Sequence, residues 1–157
     1  MLPSTQHSAQ TRATIDRHAN AIILKRNFDA PRDVIFSAWT EPNQVAIWWD
    51  AAGAPLARCE IDLRIGGTFT FISASENVPP FTGTYRRIER PASLAFEAMG
   101  ALGMVDLREE GGRTEMIVTI KCPTPEHLET FLAMGVNEGT AETLDNLVDF
   151  IENRRKG

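Results

Sequence analysis

The rhythm of apolar and polar residues changes several times along this chain, and each change marks an element. From His18 onward Ile22, Leu24, Arg26 and Phe28 alternate with Ile23, Lys25 and Asn27, the two-residue period of a strand with one mainly buried face. Pro31 stops that strand and suits the first turn of a helix. Val34, Ile35, Ala38 and Trp39 then fall on one helical face, with Asp33 near the positive N-terminal end. Thr40 is placed to cap a second helix, with Pro42 in its first turn, where the missing N–H has no partner to lose. In that helix Val45, Trp48 and Trp49 stand at i, i+3 and i+4, so both indoles are expected to point the same way, toward the core or the rim of a cavity.

The period of two then returns in six strand candidates, at about 56–63, 67–74, 80–88, 93–98, 101–108 and 113–121. Turn signals separate them: Gly66-Gly67, "ENVPP" at 76–80, "ERPA" at 89–92 and "EEGG" at 109–112. Phe69 and Phe71 share one face, as do Leu94 and Phe96, and Met116, Val118 and Ile120. Such short connections imply antiparallel neighbours. After "CPTPE" the helical period resumes, first briefly through Leu128, Phe131 and Leu132. From about Val136 a long helix runs to the end, with an apolar stripe of Leu144, Leu147, Val148 and Ile151. Glu138, Glu142, Asp145, Asp149 and Glu152 form an acidic, solvated stripe, and Arg154, Arg155 and Lys156 complement the negative helix end. Gly135 and Gly139 weaken the start of this helix by about 1 kcal/mol each relative to alanine, which reads as close approach or a kink.

One strand, two short helices, six strands and a long helix describe an α+β domain built on a single antiparallel sheet of seven strands. Residues 1–15 are polar and aperiodic and read as a flexible N-terminal tail, leaving 16–157 as one domain. A length of 157 residues allows a real core. A net charge of −5 argues against nucleic acid as a partner, because that role needs clustered Lys and Arg. Cys59 and Cys122 lie far apart with no metal or redox spacing and read as small core residues in a reducing compartment. The N-terminal residues lack the pattern of a leader, and no apolar run is long enough to span a bilayer, so a cytoplasmic protein without membrane insertion is expected.

Four segments together resemble a known family: "RNFDAPRDVIFSAWTEPNQVAIWWD", "DLRIGGTFTF", "FTGTYRRIERPASLAFE" and "GVNEGTAETLDNLVDFIE". Over about residues 18–153 the chain is similar to the START-like (SRPBCC, helix-grip) superfamily, and more narrowly to the branch related to the C-terminal domain of the activator of heat-shock-protein-90 ATPase. The resemblance implies a curved seven-stranded antiparallel sheet wrapped around the long C-terminal helix, with an apolar cavity between them. It would place Trp48 and Trp49 at one end of that cavity, and Gly66 and Gly67 at the family's double-glycine turn or bulge. Members of the superfamily bind lipids, sterols or other apolar molecules, cyclise or dehydrate polyketides, or act as chaperone partners. Eukaryotic chaperone activators carry a further N-terminal domain that these 157 residues do not include, so ATPase activation is not expected to carry over.

Residues suited to catalysis are sparse. His7, His18 and His127 stand at no ligand spacing, and no nucleophile elbow, Walker loop or dinucleotide fingerprint occurs, so neither a metal nor a cofactor is expected. Glu60, Asp62 and Arg64 share a parity that ordinary alternation turns outward. Tyr85 and Arg87 share parity with Phe81, and Asp106 with Leu102 and Met104; an acid meeting Tyr85 in a cavity would permit general acid–base chemistry. The expected ligand contacts are aromatic and methionine positions: Trp48, Trp49, Phe69, Phe71, Tyr85 and Phe96, with Met104, Met116 and Met134. The first expectation is binding of an apolar or aromatic small molecule, lipid-like or polyketide-like, between sheet and helix. The alternatives are a cofactor-independent cyclase or hydrolase in the same cavity and a chaperone-associated interaction module; a homodimer through an exposed strand edge is a further open arrangement.

Overall fold

The structure is a computed structural model that describes the backbone of residues 11–156 and side chains as far as Arg154. The expectations for residues 1–10, His7 among them, and for the side chains of Arg155 and Lys156 lie outside the described residues.

One antiparallel sheet contains β1 (Ala13–Asp16), β2 (Ala21–Phe28), β3 (Arg58–Ile61), β4 (Thr68–Ile72), β5 (Phe81–Glu89), β6 (Ser93–Ala98), β7 (Ala101–Glu110) and β8 (Arg113–Lys121). Their spatial order is β1-β2-β8-β7-β6-β5-β4-β3, so consecutive strands are neighbours except where β2 meets β8 and the helices α1 (Arg32–Thr40) and α2 (Pro42–Trp48) lead across to β3. After β8 come α3 (Pro125–Ala133) and α4 (Val136–Lys156). This is the expected α+β helix-grip architecture, with the sheet curved around α4 and left unclosed.

It has eight strands rather than seven. β1 pairs with β2 from Ala13↔Leu24 to Asp16↔Ala21, so residues 13–15, expected in the tail, belong to the sheet. The turn between them is built locally: Asp16 Oδ1 accepts from the N–H groups of His18 and Ala19, and Asn20 takes a left-handed φ of 55°. Four residues of mixed character, Ala, Thr, Ile and Asp, are too few for alternation to announce a strand.

Three local expectations are corrected. Thr40 ends α1, buried, its hydroxyl donating to Phe36 O, and Glu41 stands at the start of α2 instead. Tyr85 and Arg87 do not share a face, because a bulge shifts the register between them and leaves Tyr85 buried and Arg87 exposed. On β7 the inward set is Ala101, Gly103, Val105 and Leu107, so Leu102, Met104 and Asp106 face away from the helix. Asp106 is exposed there and accepts from the Ser93 hydroxyl at 2.9 Å.

The core lies between the inward sheet face and the helices. Ile22, Leu24 and Phe28 of β2, Ile35 and Phe36 of α1, and Leu144, Leu147 and Ile151 of α4 are all 3% exposed or less. α4 packs against β1, β2, α1, α2 and α3, toward one side of the sheet. Arg26, inward on β2 among these apolar neighbours, reaches Asp145 of α4 at 2.5 Å and the Thr11 hydroxyl at 2.8 Å. Asp145 also accepts from the Thr11 N–H and hydroxyl, so it is no member of a solvated stripe, although Glu138, Glu142, Asp149 and Glu152 are exposed.

Candidate ligand cavity

Because α4 leans toward β1 and β2, space remains between it and the other strands. A cavity of about 370 Å³ occupies that space. Its sheet wall is made by Phe71 of β4, Phe81 of β5, Phe96 of β6, Ala101 and Gly103 of β7, and Val118 and Ile120 of β8. Trp39, Trp49, Leu56 and Phe131 also line it, and Val136, Gly139, Thr140, Thr143 and Leu144 form the helical wall. Exposed Ala51, Val78, Pro79 and Met99 also border it, so it opens to the surface there.

Small residues keep this volume free. On β7, Gly103 faces Phe96 of β6, and a Cβ there would come within 2.8 Å of that ring, while Ala101 faces Ala98. A Cβ on Gly139 would meet nothing within 4 Å. The glycine expected to allow close approach or a kink instead leaves room over the cavity. Gly135, with φ of +78°, makes the sharp link between α3 and α4.

The adjacent tryptophans divide their work. Trp48 is 1% exposed and its indole N–H donates to Ala38 O at 3.0 Å, so it fastens α2 to α1 and does not line the cavity. Trp49, one position beyond α2, is half-buried in the cavity wall, with its ring 4.9 Å from Phe71 and 5.1 Å from Phe81. Trp39 sits edge-on between them, 4.9 Å from Trp48 and 6.3 Å from Trp49. Its buried indole N–H meets no acceptor among the described residues.

Of the nine expected contacts, Trp49, Phe71 and Phe96 line the cavity. Phe69 and Tyr85 pack beneath it, Phe69 stacking 4.8 Å from Phe71 and 5.3 Å from Tyr85. Met116 is fully buried away from the cavity, Met104 faces the opposite side of the sheet, and Met134 is 58% exposed between α3 and α4. Phe81, Val118 and Ile120 carry the right parity for the wall; Trp39 was legible only as part of an apolar helix face, and Asp50, Ala101, Gly103, Gly139 and Thr140 were not legible as cavity residues, because small or polar side chains give no hydrophobic signal.

Burial, and secondarily the nearby Cys59, pushes the Tyr85 phenol well above its ordinary value, so it keeps its proton. Among the described residues no carboxylate reaches its hydroxyl. Burial likewise raises the Cys59 thiol from 9.0 to about 11. The described residues contain no cluster of His, Cys, Asp and Glu able to hold a metal. Among the described residues, the one charged side chain lining the cavity is Asp50. It is half-buried, with Oδ1 accepting from Ala52 N–H at 2.9 Å and Oδ2 from the Ser73 hydroxyl at 3.3 Å.

Residues 29–152, most of the chain, match the family described as activator of Hsp90 ATPase homolog 1-like protein. The chain belongs to that family. Solved structures with the same fold include protein NE0264 from Nitrosomonas europaea, 19% identical with a TM-score of 0.78 over 87% of this chain and 97% of that one. A protein from Rhodobacter sphaeroides is 21% identical with a TM-score of 0.80, covering 92% and 99%. CalU16 from Micromonospora echinospora, in its solution structure, is 28% identical with a TM-score of 0.62, covering 83% and 65%. None of the curated proteins compared with the chain matches it. This member of the activator-like family contains no described helix long and apolar enough to cross a membrane.

Proposed function

We propose that this activator-like protein binds an apolar or aromatic small molecule between the sheet and α4. The observation that carries this reading is the cavity itself. A protein interior is normally close-packed, and a space of about 370 Å³ walled by Trp, Phe, Val, Ile and Leu falls in the size range of small-molecule sites. Gly139 leaves open space beside it, and Ala101 puts only a methyl group on its wall, where larger core residues would fill it.

Gly139→Phe tests the proposal, since open space lies at its Cβ and the residue borders the cavity. The wild type is expected to bind the fluorescent apolar dye N-phenyl-1-naphthylamine. Gly139→Phe, and independently Val118→Trp, should weaken that binding by about tenfold or more by occupying the same volume. Circular dichroism shows whether each variant keeps its fold. Unchanged affinity in two folded variants would contradict the reading.

A further inference from the structure

Resting on that reading, we infer that the ligand carries a hydrogen-bond donor, an ammonium or a hydroxyl, at the end that meets Asp50, and that apolar carboxylates are selected against. Among the described residues the wall is apolar except at Asp50, Ser73, Thr140 and Thr143, and none of them is Lys, Arg or His. No cation pairs with Asp50 among the described residues. Its two hydrogen bonds, from Ala52 N–H and the Ser73 hydroxyl, leave a carboxylate with acceptor capacity to spare.

The carboxylate is also held in place. From α4, the Thr143 hydroxyl donates to Trp49 O at 3.1 Å and Asn146 Nδ2 to Asp50 O at 2.9 Å. The backbone at 49–50 is thereby tied to the helical wall, so the acid needs little reordering to meet a ligand. An apolar ligand entering past Asp50 strips water from it. A donor on the ligand replaces the lost hydrogen bond, a hydrocarbon leaves it unmade, and a carboxylate adds like-charge repulsion. A site built to accept a hydrogen bond discriminates against analogues that cannot give one.

The test uses four naphthalenes of one shape: 1-naphthylmethylamine, 1-naphthalenemethanol, 1-methylnaphthalene and 1-naphthoic acid, each competed against N-phenyl-1-naphthylamine at pH 7. For the wild type, the amine and the alcohol should bind about tenfold or more tighter than the acid. In Asp50→Asn, which retains an amide oxygen for Ala52 N–H, the spread between amine and acid should shrink to about twofold. An acid that binds the wild type as well as the amine does, or a spread that survives Asp50→Asn, overturns the inference. The cavity reading then still stands if 1-methylnaphthalene binds and Gly139→Phe blocks it. If no naphthalene binds the wild type, both fall. The wild-type ranking decides the matter even if the variant folds poorly.

Discussion

Gly139 and Gly103 are both cavity residues, yet they respond to substitution in opposite ways. At Gly139 a methyl group meets open space on a helix, so Gly139→Ala should raise stability by about 1 kcal/mol through helix propensity, measured as a higher urea midpoint with unchanged slope. At Gly103 the methyl would press on the Phe96 ring at 2.8 Å, and Gly103→Ala should cost about 1–3 kcal/mol by overpacking. Cys59 offers a pH test at the same scale. Burial lifts its thiol from 9.0 to about 11, so the folded protein holds that proton more tightly than the unfolded chain does. Its contribution is complete below pH 9 and is lost as the pH climbs toward 11. Urea titrations across that range should show stability falling, with a shallower fall in Cys59→Ala; equal slopes would contradict the assignment. Sequence misread the site at residue scale for one physical reason. Large apolar residues signal packed faces, and small residues give no such signal, so Met104 looked inward while Ala101 and Gly103 were the residues that faced the cavity.

At the scale of elements, the period of hydrophobicity carried most of the information. The long apolar stripe of α4 and the strands from β4 to β8 were legible to within a few residues, because each has one face against the core. β1 was not, since its stability comes from elsewhere in the chain. Thr11, just before it, donates twice to Asp145 of α4, and the same carboxylate holds Arg26, whose side chain is only 13% exposed. This three-way contact joins the first strand, the second strand and the last helix. Asp145→Ala would leave a mostly buried guanidinium without its counter-charge, at a cost of about 2 kcal/mol. Hydrogen exchange should then speed up in β1 more than in β5 or β6. Uniform loosening of the whole sheet would show instead that the contact supports global packing and not the edge.

The whole molecule shows how one sheet serves two purposes. On the side that α4 covers closely, β2 and the helices make a dense core around Ile22, Leu24, Leu144 and Leu147. On the other side the same sheet curves away, and an aromatic layer runs from Tyr85 through Phe69 to Phe71 and Trp49 before the cavity begins. Family resemblance anticipated a space between sheet and helix, but composition and spacing alone could not say whether it was filled, because that depends on side chains brought together from α1, five strands, α3 and α4. The most direct measurement is a crystal structure of the protein soaked with 1-bromonaphthalene, located by its anomalous bromine signal. The account predicts a peak between Val118 and Gly139, with the surrounding walls little moved. A cavity collapsed by α4 settling onto β7 and β8, with no peak inside, would contradict it.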